Sequence, residues 1–225
     1  LVLTVLASGG EAIVSRGELV EIGGDFRVPD VMAQSGAILR EVGTTNRTKL
    51  KDYENAISEA TRLILRVHPS NYRIIGFTEM PNLSDLADLA HQNEILLYED
   101  AGSGAIFDLS KFGLTDEPII SESIKSGVDV ITFSGDKLLG GVQSGLIVGK
   151  KETIEKIRKH PLYRTLRVDK LIYTALEATL KSFRKETALQ EIPVLKMLAM
   201  NNEKLKTRTK KFAKKLKKFS NLSFE

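Results

Sequence analysis

Cysteine is absent from the 225-residue sequence. Disulfide bonds and thiolate metal sites are therefore excluded, and nothing argues for an oxidising compartment. No apolar run approaches the roughly 20 residues that a membrane-spanning helix needs. Leu1–Ala7 is apolar, but it lacks a preceding charged region and a clear cleavage site, so it does not predict a signal peptide. These features predict a cytoplasmic location and no membrane partner.

Histidine is also scarce, with three in the chain. His68, His91 and His160 are scattered and show no ligand spacing such as HExxH, so the sequence predicts no metal site. His68 is expected to be a satisfied histidine in the core or at a strand end. The other two are expected on the surface.

Charge is plentiful but unevenly placed. The chain has 28% charged and 42% hydrophobic residues, as expected of a globular protein, and its net charge is +4. Nine basic residues fall between Lys204 and Lys218. The ordinary interpretation is a solvated helix face beside an apolar stripe; the alternative is a surface that contacts nucleic-acid phosphates.

The first two thirds of the chain alternate strand and helix patterns. Predicted strands are Ala12–Ser15, Ala37–Val42, Arg62–His68, Ile95–Glu99, Val128–Phe133 and Gly145–Val148. Predicted helices between them are Pro29–Gln34, Leu50–Ala60, Leu83–Gln92 and Ile119–Ser126. This pattern predicts an α/β fold: a three-layer, mostly parallel sheet with helices on both faces. The last strand follows a short turn and is expected to run antiparallel.

From Lys151 onward the patterns are helical. We predict helices at Glu152–Lys159 and Asp169–Arg184, and a third that starts near Pro193 and continues into the basic run. Residues 1–168 are expected to form a large domain, and 169–225 a linker helix and the start of a smaller C-terminal domain. Leu1–Ala7 resembles the end of a helix and Leu222–Glu225 the start of a strand, so we expect a chain truncated at both ends.

The turn after the fifth strand carries the strongest chemical signal. Phe133–Gly141 reads FSGDKLLGG, which places Lys137 in a short, glycine-flanked turn between two apolar strands. Such a turn can present an amine inside a cleft, where burial lowers its pKa and makes it a nucleophile. The chemistry this suggests is Schiff-base formation with pyridoxal 5'-phosphate.

Polar residues follow five of the predicted strands, where an open parallel sheet binds its ligands. Asp100 is a suitable partner for a protonated pyridine nitrogen, although a loop hydrogen bond would also explain it. Ser134, three residues before Lys137, can donate to a cofactor phosphate or simply stabilise the turn. Asp136 either orients Lys137 or a substrate group, or caps the turn. Ser70 and Asn71 follow the third strand and are further candidates.

Arg164 and Arg167 are three residues apart. In a helix they would share a face, and two guanidinium groups together suit a tetrahedral oxyanion. A solvated basic face is the alternative interpretation.

Four motifs in this order resemble bacterial selenocysteine synthase, the family of L-seryl-tRNA(Sec) selenium transferases. They are Ser15–Gly24 (SRGELVEIGG), Glu41–Thr48 (EVGTTNRT), His68–Tyr72 (HPSNY) and Ser134–Gly141 (SGDKLLGG). The resemblance extends from about Ala12 to Leu198. It implies the aspartate-aminotransferase-like fold, called fold type I.

The resemblance also implies a reaction. Pyridoxal 5'-phosphate would be bound to Lys137, with Asp100 at its pyridine nitrogen, and Arg164 and Arg167 would bind selenophosphate or another anion of the reacting centre. The substrate would be selenocysteine tRNA charged with serine, converted to selenocysteinyl-tRNA(Sec) through an aminoacrylyl intermediate. Family members form rings of dimers, so a homo-oligomer is expected.

Two departures from the family qualify this expectation. The N-terminal domain that reads tRNA and an upstream segment that helps to bind phosphate are missing, so this chain itself is expected to bind cofactor poorly. Val142–Gly145 reads VQSG where PQAG is expected. Two alternatives stay open: a related pyridoxal phosphate lyase acting on a small amino acid, and a non-catalytic assembly or tRNA-binding module.

Overall fold

The computed structural model describes residues 1–22, 24–217 and 219. Its centre is one six-stranded sheet in the order β2-β1-β3-β4-β5-β6. The strands are β1 (Glu11–Ser15), β2 (Ile38–Val42), β3 (Thr61–Val67), β4 (Leu96–Gly102), β5 (Val130–Ser134) and β6 (Gly145–Gly149). Neighbouring strands are parallel except β5 and β6, which are antiparallel. Both the parallel sheet and the antiparallel last strand were predicted from the sequence.

Helices connect the strands and then continue to the end of the described chain. They are α1 (Val2–Leu6), α2 (Val28–Ser35), α3 (Leu50–Glu54), α4 (Leu83–Gln92), α5 (Ile120–Lys125), α6 (Lys151–Lys159), α7 (Pro161–Thr165), α8 (Lys170–Arg184), α9 (Ala188–Glu191), α10 (Pro193–Leu198) and α11 (Asn202–Leu216). The bounds of α4 match the prediction because Leu86, Leu89 and Ala90 repeat at helical spacing and are buried. The α8 helix begins where the Asp169 side chain accepts the N–H groups of its first turn.

Two helical predictions were too long, and local side-chain hydrogen bonds explain both. The predicted helix over Leu50–Ala60 ends at Glu54, because Ser58 and Thr61 form a turn in which the Ser58 N–H donates to Thr61 Oγ1 at 2.9 Å. The predicted helix from Pro193 into the basic run is split in two. Asn201 breaks it by capping α11, with its Oδ1 accepting the N–H of Lys204 at 2.9 Å. The strand expected at 222–225 lies outside the described residues.

Helices cover both faces of the sheet, which gives the three layers that the sequence predicts. On one face, side chains of alternate strand positions such as Ile64 and Leu97 pack against α3, α4 and α5. On the other face, Leu65 and Tyr98 belong to a core that includes α1, α2 and α6. A third cluster, which includes Leu195, joins α9 and α10 to the segment after β4. Within the described ranges, none of the helices has both the length and the apolar character needed to cross a bilayer.

A buried carboxylate stabilises the amino-terminal edge of the sheet. Asp129 is 1% exposed, and its Oδ2 accepts the Leu97 N–H at 2.7 Å. Lys150 Nζ lies 2.6 Å from Oδ1 and His91 Nε2 lies 3.1 Å from Oδ2. His91, predicted to be a surface histidine, is thus a partly exposed partner of a buried acid. The carboxylate connects β4, β6 and α4 through three donors.

Asp129→Ala is expected to lower the free energy of unfolding by about 2–3 kcal/mol. Lys150 and His91 are partly exposed and can turn to water, so the cost comes mainly from the lost charge-assisted bond and the Leu97 N–H left without an acceptor. Urea unfolding measures this change, with Asp88→Ala on the exposed side of α4 as the control. Equal stability of Asp129→Ala and the wild type would contradict this account.

Candidate active site

A cleft of about 830 Å³ lies at the carboxyl ends of β4 and β5, beside β6, α6 and α7. This is the edge where open parallel sheets bind ligands, and the volume lies within the range of small-molecule sites. Polar side chains from three successive pieces of chain line one wall of this cleft. These residues are Tyr98 and Asp100 of β4, Thr132 and Ser134 of β5, and Lys137 of the following turn.

Backbone contacts hold the lysine turn against the end of β4. The Leu138 N–H donates to the Ser103 carbonyl at 2.9 Å, so the residue after Lys137 is tied to the chain that follows β4. Gly104 makes this approach possible: its φ is +74°, and a Cβ there would lie 2.7 Å from the carbonyl oxygen of Ser134. The lysine is therefore positioned by main-chain packing between two neighbouring strands.

Asp100 lies within β4, which extends beyond the predicted end at Glu99. Thr132 of β5 is its register partner, and the threonine hydroxyl donates to Asp100 Oδ1 at 3.0 Å. The Tyr98 hydroxyl lies 2.9 Å from Thr132 Oγ1. Burial raises the pKa of Asp100, while the hydrogen bond from Thr132 and the charge of Lys137 act in the opposite direction. The cleft wall thus contains a half-buried carboxylate whose charged form is stabilised by the Thr132 hydroxyl and the charge of Lys137.

Lys137 is more accessible than the sequence analysis expected. The predicted amine was buried, but this side chain is exposed at the cleft. Its Nζ lies 3.9 Å from the position that a Cβ on Gly102 would occupy, which places the amine beside the last residue of β4. The turn presents the lysine as predicted; it does not remove it from water.

The other predicted residues separate into those that reach the cleft and those that do not. Ser134 lines it at the end of β5. Asp136 is exposed and is not among the described residues that line the cleft. Ser70 and Asn71 lie in a neighbouring groove after β3, where Asn71 Nδ2 donates to the Glu21 carbonyl at 2.9 Å. The structure therefore brings together Asp100, Ser134 and Lys137, and leaves the Ser70–Asn71 pair outside.

The predicted arginine pair does not form a shared helix face. Arg164 lies in the last turn of α7, which ends at Thr165, so Arg167 follows the helix in irregular chain. Both arginines are exposed, and neither is among the described residues that line this cleft. The cleft instead contains Arg158 of α6, which the sequence analysis missed because no motif or spacing marks it.

The two remaining histidines and the basic run have simple surroundings. His68 Nε2 lies 3.5 Å from Glu117 Oε2 next to β3, and burial lowers the pKa of this histidine. His160 Nδ1 accepts the Leu162 N–H at the start of α7. The basic side chains of α11 and Lys217 are exposed, as are the apolar Leu205 and Phe212 on that helix; Lys218 lies outside the described residues.

Comparison with known proteins shows which family the chain belongs to. The family model described as "SelA: L-seryl-tRNA selenium transferase" matches residues 1–225. The chain belongs to this family. The L-seryl-tRNA(Sec) selenium transferase of Alkaliphilus metalliredigens (strain QYMF) is 58% identical over 217 residues, which cover 96% of this chain and 46% of that protein. The same-named protein of Geobacter metallireducens is 53% identical over 98% of this chain and 48% of its own length.

The chain thus spans about half the length of the curated relatives it matches. Solved structures show how widely its fold is shared. D-glucosaminate-6-phosphate ammonia-lyase aligns with a TM-score of 0.63 at 24% identity, over 81% of this chain and 47% of that one. Cystathionine gamma-lyase from Lactobacillus plantarum, complexed with L-serine, aligns with a TM-score of 0.56 at 21% identity, over 82% and 44%. These alignments confirm the predicted aspartate-aminotransferase-like fold class.

Another buried acid lies where the strand order reverses between β1 and β3. Glu18 follows β1 in the first family motif and is 0% exposed. Its Oε2 accepts the Val67 N–H at 3.1 Å, and its Oε1 lies 3.3 Å from Arg66 Nε. Burial raises the pKa of Glu18 to about 7, although Arg66 acts to lower it. The sequence marked Glu18 as a polar strand-end residue without indicating this contact, which depends on how β1 pairs with β3.

Glu18 is expected to make folding stability fall as the pH rises from about 4.5 to about 7. In that window the folded chain keeps a proton on Glu18 that the unfolded chain has released, so the free energy of unfolding decreases by up to about 1.4 kcal/mol per pH unit. Glu18→Gln cannot titrate, yet it retains an acceptor for Val67. Urea unfolding at several pH values should therefore show the variant gaining stability relative to the wild type as the pH increases.

Glu54→Gln, on the exposed surface of α3, is the matched control and should follow the wild-type profile. The constant cost of leaving Arg66 without its acid cancels when slopes are compared. Parallel profiles for Glu18→Gln and the wild type would contradict the assignment.

Proposed function

We propose that this chain carries the cofactor lysine of an enzyme that converts seryl-tRNA(Sec) to selenocysteinyl-tRNA(Sec) with selenophosphate. The observation that carries the proposal is the meeting of Lys137, Asp100 and Ser134 in one cleft at the carboxyl edge of the sheet. Membership of the selenium transferase family supplies the reaction, because the fold alone is shared with proteins named as lyases. The proposed location is the cytoplasm.

The residues of the cleft fit pyridoxal 5'-phosphate. Lys137 offers an exposed amine for a covalent bond to an aldehyde carbon, and Asp100 offers a half-buried carboxylate that can pair with a ring N–H cation. Ser134 offers a hydroxyl on the same lining. When bound, pyridoxal 5'-phosphate supplies an electron sink for carbanion chemistry next to an amine. Lys137, Asp100 and Ser134 would hold it.

Three side chains of this protein have separate roles in the proposed reaction. Lys137 Nζ, once free, accepts the α proton of the seryl group, because it is the amine on the cleft lining. Asp100 provides negative charge on the same lining, where the Thr132 hydroxyl donates to Oδ1. Asp136, exposed beside the lysine, is proposed to orient Lys137 or the departing hydroxyl group.

Anion binding is assigned to arginines. Arg158 lines the cleft and provides a guanidinium group near the reacting side chains. Arg164 and Arg167 are exposed and do not line that cleft, so we propose that they bind selenophosphate in a homo-oligomer, where a cleft of a second copy can meet them. Ser70 and Asn71 are likewise proposed as cofactor contacts between subunits. The basic side chains of α11 are available for tRNA phosphates.

Lys137→Ala in the full-length protein is expected to abolish the visible absorbance of the bound cofactor, because the amine that forms the covalent bond is lost. Borohydride reduction of the wild type should attach the cofactor to the peptide that contains Lys137, as detected by mass spectrometry. Lys125→Ala on the exposed surface of α5 is the control and should keep the spectrum. A spectrum unaltered by Lys137→Ala would remove the cofactor assignment.

A turnover assay tests the substrate separately. The full-length protein with seryl-tRNA(Sec) and selenophosphate is expected to yield selenocysteinyl-tRNA(Sec), with the aminoacyl group identified after tRNA hydrolysis. Turnover of free serine with no use of the charged tRNA would favour the lyase alternative. Binding of tRNA without turnover of either substrate would favour the non-catalytic module.

A further inference from the structure

A chain of three side chains crosses the cleft wall from Tyr98 through Thr132 to Asp100. We propose that Thr132 and Tyr98 are positioning residues that hold Asp100 as an oriented carboxylate facing a cationic ring nitrogen. This inference deepens the proposed function and rests on it. Neither residue belongs to the motifs on which the family resemblance depends.

Sheet register produces this chain. Asp100 and Thr132 are direct partners in the parallel pairing of β4 with β5, so their side chains leave the sheet on the same face. Tyr98 precedes Asp100 by two residues and shares that face by the strand repeat. All three side chains line the cleft. The arrangement depends on two strands and on no long loop.

The direction of the hydrogen bonds can be assigned. Thr132 has one hydroxyl proton, which it donates to Asp100 Oδ1 at 3.0 Å. The Thr132 oxygen therefore accepts at its other contact, and the Tyr98 hydroxyl at 2.9 Å is the donor. Burial raises the pKa of Tyr98, so this phenol stays protonated at neutral pH. Both hydroxyl protons, that of Tyr98 and that of Thr132, are therefore donated in the direction of the Asp100 carboxylate.

This polarity matters because Asp100 is half-buried and its carboxylate is partly removed from water. Desolvation favours its neutral form, and the Thr132 hydroxyl is the first of the groups that oppose this effect. A neutral carboxyl group would not form an ion pair with a ring N–H cation. By donating to the carboxylate, Thr132 preserves the charge, and Tyr98 strengthens that donor by polarising it. Oδ1 is thereby engaged, which orients the group.

Binding of two matched ligands distinguishes a positioning role of Thr132 from a purely structural role in packing the cleft wall. Pyridoxal 5'-phosphate has the ring nitrogen that would face Asp100, whereas 1-deazapyridoxal 5'-phosphate has carbon at that position and is otherwise the same shape. Thr132→Val in the full-length protein is expected to raise the dissociation constant of pyridoxal 5'-phosphate about tenfold, which is the scale of one lost charge-assisted hydrogen bond. The dissociation constant of the deaza analogue should stay unchanged. Tyr98→Phe should weaken binding of the natural cofactor about threefold, because the tyrosine acts on Asp100 only through Thr132.

Two controls accompany these variants. Thr132→Ser restores the hydroxyl and should recover most of the affinity. Thr61→Val removes a buried strand hydroxyl at the other end of the sheet, where Thr61 Oγ1 accepts the Ser58 N–H. This variant should bind both ligands as tightly as the wild type does. A readout without cofactor uses infrared titration, with Asp100→Asn identifying the carboxyl band. Thr132→Val should raise the pKa of Asp100 in that titration.

The outcomes separate the inference from the function on which it rests. Equal weakening of both ligands by Thr132→Val, or no weakening of either, would overturn the positioning role. An unchanged Asp100 titration in Thr132→Val would overturn it as well, whatever the ligand data show. If the wild type binds no pyridoxal 5'-phosphate, the cofactor proposal fails, and the infrared titration still decides whether Thr132 sets the charge of Asp100.

Discussion

The site is organised by the cost of partly desolvating the Asp100 carboxylate. Desolvation opposes its charge, so the surrounding chain must provide donors or cations. Thr132 provides a hydroxyl from the neighbouring strand, and Lys137 provides an ammonium group from the turn that follows it. The main-chain bond from Leu138 to Ser103 keeps that turn beside β4. Packing and electrostatics therefore fix the same relative position of acid and amine.

The opposite edge of the same two strands solves a similar problem differently. Asp129 is fully buried, and it has a backbone N–H, a lysine at 2.6 Å and a histidine at 3.1 Å. Its partners are complete within the chain, as suits a structural contact. Asp100 is half-buried and has a threonine hydroxyl, the Gly102 N–H and an exposed lysine nearby, so its side facing the cleft stays open to a cationic ligand. The contrast separates an acid that stabilises the sheet from one available for binding.

The sequence predicted the elements that depend on local periodicity and on the order of the chain. The parallel sheet, the antiparallel β6 and the bounds of α4 follow from such patterns, and so does the meeting of Asp100 with Lys137 at one edge. Tyr98 and Asp100 also share a strand face by simple alternation. Thr132 and Glu18 were missed because their partners depend on which residues of two strands lie opposite each other. Arg164 and Arg167 were paired on a helix that ends too early.

The reaction must be specified outside the sheet, because the fold is shared with two proteins named as lyases at 24% and 21% identity. A half-buried acid and an amine in one cleft provide a general setting for carbanion chemistry, and they do not distinguish a tRNA-bound serine from a free amino acid. Groups that could make this distinction are exposed: Arg158 at the cleft, Arg164 and Arg167 beyond it, and the basic face of α11. Their exposure leaves them available to a large polyanionic substrate, whereas a site for a free amino acid gains most from enclosure. The combination of a half-buried acid with accessible cations is therefore consistent with the proposed tRNA-bound substrate.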